Sequence, residues 1–501
     1  MRVKLSKNSI IGELMILVGL LVLAPLLVLP WYPEDIKYTM CFVIPGGGSL
    51  ILGLLFGRFK KTPPSFGNSW KDSMGRSSLT VLFAWSWGVI IGAMPFVLNG
   101  QLTVVQALFE AVSGWTTTGL SVVDVSQTAQ IYLFHRSFMQ YCGGLGFIMV
   151  MILFISGKHA MKLYSAEGHP DRIMPNIKKT AQAIFLIYNV CLVIGTIAYR
   201  IAGMTWFDGI CHTMCSLSTG GFSTKLNSIG EYNSLSIEII TIILMIIGTT
   251  NFAALILLAK GKIKAFSKVS EVRFMFLVLL ISIPPTAISL ARGMGMPFSE
   301  GFRRAMFDIV SAMSTSGYSS MSYADWPQFA IGVLIVVMLI GGGIGSTAGG
   351  LKLSRVYLML RIALLNIKKR ITPPRSVASP HYTKADGKMP IDDALCEDTT
   401  SFAVCFLFLF IFGSLALTVA ADCTLTQAMF DFASSISTVG LSIGITNATT
   451  PNAALIIEMI GMMMGRLEIF IVLIGARFGF GMIKKHIRSR RAEKENANEM
   501  M

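Results

Sequence analysis

Apolar stretches of helix length recur from one end of the chain to the other, with shorter polar segments between them. Ten can be counted, near residues 10–30, 38–56, 77–98, 131–156, 180–199, 237–259, 274–290, 329–365, 401–421 and 453–483. A bilayer core about 30 Å thick needs roughly 20 apolar residues per helix, so this pattern predicts a series of membrane spans. The first run carries Glu13 and no small-residue cleavage pattern follows it, which predicts a retained span. The eighth run is interrupted by glycine, and the polar segments after every second span from the third onward share one pattern.

Composition sharpens the picture. Of 501 residues, 53% are hydrophobic and 14% charged, which excludes a single soluble globule and fits an all-α polytopic membrane protein. The net charge of +15 is not a nucleic-acid face, because the basic residues sit in short segments between spans. Segment 57–76 holds Arg58, Lys60, Lys61, Lys71 and Arg76; segment 260–273 holds Lys260, Lys262, Lys264, Lys268 and Arg273; segments 157–179 and 352–398 and the tail from 484 are also basic. Segments 99–130, 204–236, 296–328 and 422–452 together hold three basic residues and nine acidic ones. By the positive-inside rule both termini are cytoplasmic and these four segments face outward. The eight cysteines form no CxxC pair, and Cys211 with Cys215 lacks convincing metal partners, so buried inert thiols are expected.

Each outward segment contains one copy of an internal repeat: FEAVSGWTTTGLS (109–121), CHTMCSLSTGGFS (211–223), FDIVSAMSTSGYS (307–319) and FDFASSISTVGLS (430–442). A hydroxyl residue is followed by threonine, a variable residue, glycine, a large apolar residue and serine. The central triplets are Thr117, Thr118, Gly119; Thr219, Gly220, Gly221; Thr315, Ser316, Gly317; and Thr438, Val439, Gly440. Non-helical backbone inside a membrane must be buried in protein or line a water-filled cavity. Each repeat therefore reads as helix, half-helix, extended loop, helix, with the half-helix ending at the hydroxyl pair. Its C-terminal end presents partial negative charge, which favours a cation. The glycine lets carbonyls turn toward a common axis, and four such loops around one axis can replace the hydration shell of a monovalent cation with main-chain oxygens. Nine positions before each glycine stands Glu110, His212, Asp308 or Asp431. These either draw cations to the mouth or, the preferred reading, cap or anchor the start of the half-helix.

The run GGGIGSTAGG (341–350) interrupts an apolar helix with Gly341, Gly342, Gly343, Gly345, Ser346, Thr347, Gly349 and Gly350. Glycine costs about 1 kcal/mol relative to alanine inside a helix. Close helix packing is one explanation; a movable intramembrane loop that obstructs a pore is the preferred one. Arg466, inside the last span, needs a partner or water. It is expected either to face the pore against carbonyls of this loop, as a barrier to cations, or to form a structural ion pair or snorkel. Arg136 and His135 are expected to anchor the outer end of the fourth span.

The four loops, the eight-span pattern around them and the extra pair of spans before them resemble the Trk/Ktr/HKT superfamily of potassium transporters. HRSFMQYCGGLGF (135–147), GGGIGSTAGGLK (341–352) and GMMMGRLEIF (461–470) resemble its bacterial TrkH branch. The resemblance implies four helix–pore-loop–helix repeats around one pseudo-fourfold pore, divided as 61–160, 161–265, 266–390 and 391–501 after an N-terminal pair in 1–60. It implies K+ at the filter residues above, no other cofactor in this chain, a gate formed by the 341–350 loop with Arg466, and a bacterial inner-membrane setting. It further implies a homodimer and a cytoplasmic nucleotide-binding regulatory subunit of the TrkA type, docking on 366–390 and the C-terminal tail. Glycine in all four loops goes with potassium preference in that superfamily. A sodium- or proton-coupled symporter and an integral-membrane enzyme are the rival classes; mid-span acids are scarce and the six histidines form no cluster. No Walker A motif is present.

Overall fold

The computed structural model describes residues 10–58, 70–146, 177–371 and 380–499. Among these, the regular structure is all helix except for one short hairpin. Two helices come first, α1 (Ile10–Leu23) and α2 (Thr39–Arg58). They pack closely through small residues: a methyl on Gly12 would lie 2.7 Å from the Gly53 carbonyl oxygen.

Four units of one plan follow. The first has α3 (Trp70–Leu98), α4 (Val104–Trp115) and α5 (Gln130–Leu145). The second has α6 (Ile177–Ile201), α7 (Trp206–Leu217), α8 (Leu235–Thr249) and α9 (Phe252–Ala259). The third has α10 (Ser270–Gly293), α11 (Phe298–Ser314), α12 (Gln328–Ile340) and α13 (Leu353–Ile371). An antiparallel hairpin, β1 (His381–Lys384) with β2 (Gly387–Pro390), pairs His381 with Pro390. The fourth has α14 (Asp393–Ala421), α15 (Leu425–Ile436), α16 (Asn452–Arg466) and α17 (Ile469–Glu499). In every unit a long outer helix leads to a short pore helix, then a loop, then an inner helix.

Lipid and protein faces separate cleanly. On α14, Val404, Phe408, Ile411, Leu415 and Val419 are exposed, while Phe402, Phe406, Phe410 and Leu417 are buried. This spacing of three and four residues sets an apolar stripe against lipid and another against the bundle. The C-terminal halves of the pore helices are buried, and three of the four begin at a threonine cap. Thr103 forms a capping box with Gln106, and Thr424 forms the same box with Gln427 in the fourth unit. Thr205 accepts from the Asp208 N–H.

Among the described residues, six helices are long and apolar enough to cross a membrane, and two bent helix pairs reach that length and apolarity only when taken together. Runs 237–259 and 453–483, expected as continuous, are broken: α8 and α9 meet at 114°, and α16 meets the following helix at 104°. The breaks have local causes. Asn251 caps α9 by accepting from the Ala253 N–H at 2.7 Å, and Glu468 adopts φ 60°. The expected run 131–156 is helical to Leu145 and turns at Gly146 (φ 81°); residues 147–156 lie outside the described residues. The run 329–365 breaks at Gly341 (φ 69°), as its glycines predict. All four inner helices thus stop after 13 to 16 residues.

Candidate cation filter

Each pore helix ends where the repeated motif begins. Thr116, Ser218 and Ser437 are C-caps, and in the third unit Thr315 follows the last helical residue, Ser314. The next turn is the same in all four. The N–H groups of Thr118, Gly220, Ser316 and Val439 donate to the carbonyls of Ser113, Cys215, Ser311 and Ser434, at 2.8–3.0 Å. The N–H groups of Thr117, Thr219, Thr315 and Thr438 donate to Gly114, Ser216, Ala312 and Ser435, at 3.1–3.2 Å. This is a Schellman termination with threonine at the left-handed position, which glycine usually fills. The four threonines have φ of 51–56°. For a β-branched residue this conformation costs of order 1–3 kcal/mol and persists only where the surroundings impose it. Sequence reasoning gave the unusual backbone to the glycines and missed these threonines.

The glycines supply the imposing contact. Gly119, Gly221, Gly317 and Gly440 all have positive φ. A methyl on Gly119 would collide with the Gly220 carbonyl oxygen of the second loop. On Gly221 it would meet the Ser316 oxygen of the third, on Gly317 the Val439 oxygen of the fourth, and on Gly440 the Thr118 oxygen of the first. The contacts run from loop to loop and close on themselves, so the four loops form one ring. All four glycines also line one cavity of about 330 Å³, with Ser121, Ser223, Ser319 and Ser442 around it.

Glu110, His212, Asp308 and Asp431 correct the expectation of N-terminal caps. All are wholly buried in the pore helices and reach across to the strand leaving the ring. Glu110 accepts from Ser121 Oγ at 3.1 Å and from the Val122 N–H at 3.2 Å. His212 Nε2 lies 3.0 Å from Ser223 Oγ. Asp308 accepts from Ser320 and Tyr323, and Asp431 from Ser442, Ile443 and Thr446. They brace the loops rather than begin the helices. Arg136 completes the first brace: its Nε is 2.6 Å from Glu110, its Nη2 donates to Ser121, and its guanidinium stacks 4.1 Å above Phe222 of the second loop. His135 binds the Gly92 carbonyl at 3.0 Å.

The glycine run lies directly against the ring. Gly349 N–H donates to Thr315 Oγ1 at 2.8 Å, Thr347 Oγ1 is 3.0 Å from Thr219 Oγ1, and Gly349 touches Ser437 and Thr438. Its flank is tied to the break between α8 and α9. Gly343 N–H donates to Thr249 O, Thr347 N–H to Gly248 O, and Phe252 N–H to Gly345 O. Ile344 is held at both polar groups: its N–H donates to Glu271 at 2.7 Å and its carbonyl accepts from Asn251 Nδ2 at 2.5 Å. Arg466 donates to Thr347 O at 2.6 Å and to Gly143 O at 2.5 Å, joining the run to the end of α5. Glu468 turns the other way, onto Arg355 at 3.0 Å. Asn251, Glu271 and Gln140 are polar contacts that sequence reasoning missed. The available signal was GTTN (248–251) inside an apolar run and a lone glutamine in the fourth.

Four re-entrant units closing one ring in a bundle of apolar helices, with two helices ahead of them, define a polytopic membrane transporter rather than an enzyme. The chain belongs to the TrkH family of cation transport proteins, whose family model matches residues 68–480. It is 30% identical over 483 residues to the Trk system potassium uptake protein TrkG of Escherichia coli K12, covering 92% of this chain and 96% of that one. It is 30% identical over 403 residues to the Trk system potassium uptake protein TrkH of Halomonas elongata, covering 78% and 82%. Its structure superimposes on the crystal structure of the potassium transporter TrkH from Vibrio parahaemolyticus with a TM-score of 0.80 and 27% identity, over 93% of this chain and 97% of that one.

Proposed function

We propose that this chain carries K+ across a bacterial inner membrane through a filter built by Thr117–Gly119, Thr219–Gly221, Thr315–Gly317 and Thr438–Gly440. The observation that carries this reading is the closed ring of glycine-to-carbonyl contacts, since carbonyls gathered on one axis can replace water around a bare ion. The pore helices aim their C-terminal ends at the ring, where their dipoles favour a cation. Buried hydroxyls of Thr117 and Thr438, which make no hydrogen bond among the described residues, can add ligands. Both curated relatives quoted above are named for potassium uptake.

In this reading residues 341–350 are the gate. They lie across the ring's threonines, and Arg466 sets a positive charge beside them that opposes a passing cation. Both termini are cytoplasmic by the distribution of lysine and arginine. The proposal keeps the five-part division at 60, 160, 265 and 390, whose first two boundaries lie outside the described residues. A homodimer, and a nucleotide-binding subunit docking on the basic end of α13, the hairpin and the tail, complete the proposal; residues 372–379 of that surface lie outside the described residues.

The test is uptake of Rb+ and Na+ by the purified chain in liposomes. Rb+ uptake well above Na+ uptake is expected, and Gly317→Ser is expected to erode that ratio. An unchanged ratio in this variant would overturn the filter. Rb+ uptake that requires a sodium or proton gradient would assign a coupled symporter instead.

A further inference from the structure

The four loops differ at the residue before the glycine: Thr118, Gly220, Ser316 and Val439. In the first and third, that side chain folds back on its own loop. Thr118 Oγ1 lies 2.7 Å from Thr116 Oγ1, and Ser316 Oγ lies 2.9 Å from Ser314 Oγ. The second loop has no side chain at this place. The space is filled from α5 by Gln140, which is wholly buried. A methyl on Gly220 would fall on the carboxamide carbon of Gln140, so the two cannot coexist.

Gln140 also holds the backbone on both sides of Gly221. Its Nε2 donates to the Gly220 carbonyl at 2.5 Å, and its Oε1 accepts from the Phe222 N–H at 3.1 Å. The Gly220 oxygen is a member of the ring, the one that packs on Gly119. A carbonyl has two lone pairs, so the amide can fix its direction and leave one pair for an ion. A buried glutamine whose hydrogen bonds were all within its own helix would be a packing residue. This one spends both ends of its amide on another unit's loop.

We propose that Gln140 is a specificity-determining residue of the filter, standing in for the side chain that the second loop lacks and setting the angle of its Gly220 carbonyl. This rests on the reading of the four loops as a cation filter. Discrimination between K+ and Na+ then depends on a residue outside the repeated motif, and the second loop is correct only in the company of α5.

The experiment measures the Rb+ to Na+ uptake ratio in liposomes for Gln140→Met, Gly220→Ser and the double variant Gln140→Ala with Gly220→Ser, with thermal unfolding of each. Gln140→Met fills the space without a donor and is expected to lower the ratio about fivefold to tenfold, the effect of losing one hydrogen bond to a group that needs it. Gly220→Ser alone should lower it as well, because its side chain strikes Gln140. Gln140→Ala with Gly220→Ser should recover most of the ratio, since the new hydroxyl can fold back on Ser218 as Ser316 does on Ser314. Recovery in the double variant is the result that a merely structural role would not produce. Two lowered singles with no recovery would overturn the inference. So would a parent-like ratio in Gln140→Met beside a lowered one in Gly317→Ser, which would leave the filter standing. Parent-like ratios in both would overturn the filter itself.

Discussion

Two glycine-rich regions meet at the centre of this protein, and they use glycine in opposite ways. The ring has one glycine per loop at the contact with its neighbour, and each loop is tied to its own pore helix by the same two hydrogen bonds. The 341–350 run has six glycines in ten residues, occurs once, and is held from outside by α8, α9, α10 and Arg466. Ring closure gives a fixed geometry, because no loop can move without displacing the next. A single loop held by a few polar contacts from other elements has a geometry that can be exchanged for another. On the proposed reading, the filter and the gate sit a hydrogen bond apart, at Gly349 and Thr315.

The comparison breaks most sharply at the ring. Gly440 has φ 101°, and a methyl there would collide with the Thr118 carbonyl. Strain of order 1–3 kcal/mol at such a position translates into a loss of about fivefold or more. Gly440→Ala is expected to cost Rb+ uptake at least that much while the chain still elutes as a folded species. Parent-like uptake would mean that the ring is not the path.

The gate should respond in the other direction. Deleting residues 343–347 removes the contacts to Thr249, Gly248, Glu271 and Asn251 together, and basal Rb+ flux is expected to rise severalfold. A fall, or no change, would sink the gate. Arg466→Gln removes the charge and shortens the reach to Thr347 and Gly143, so a smaller rise in basal flux is expected. Asn251→Asp is a finer instrument. It keeps the oxygen that caps α9 but replaces the donor to Ile344 O with an acceptor. Basal flux should rise about twofold to tenfold, as for the loss of one neutral hydrogen bond. Flux equal to the parent would show that the clasp does not hold the gate closed.

What the sequence revealed follows the same division. The loops were legible because they are four copies at matching places between spans, and chance does not align Thr117, Thr219, Thr315 and Thr438. The closing of the ring was not, since which carbonyl meets which glycine depends on the arrangement of the units. The glycine run was legible as a break, yet its partners were not. Asn251 and Glu271 are single polar residues, one within an apolar run and one in a basic segment where it reads as a counter-charge. The breaks after Thr249 and Arg466 were hidden because both flanks are apolar enough to pass as one span. Glu110, His212, Asp308 and Asp431 were placed by spacing but given the wrong partner, because the returning strand lies beside them only once the loop has folded.

The smallest expected effect separates the four loops from one another. In the first, Thr116 and Thr118 pair through their hydroxyls, and in the third Ser314 and Ser316 do the same. The fourth keeps the hydroxyl at Ser437 but places Val439 where its partner would be. Ser437 Oγ is buried and makes no hydrogen bond among the described residues. Threonine matches valine closely in shape, so Val439→Thr can supply the missing partner without a new collision. A buried polar atom without a partner costs about 1–3 kcal/mol, and one new hydrogen bond returns about 1 kcal/mol. Val439→Thr is therefore expected to raise the thermal unfolding midpoint slightly and to leave the Rb+ to Na+ ratio within about twofold of the parent, because the Val439 main-chain oxygen that packs on Gly317 is untouched. A lowered midpoint would show that Ser437 is already satisfied. A changed ratio would show that this side chain, and not only the backbone beneath it, faces the ion.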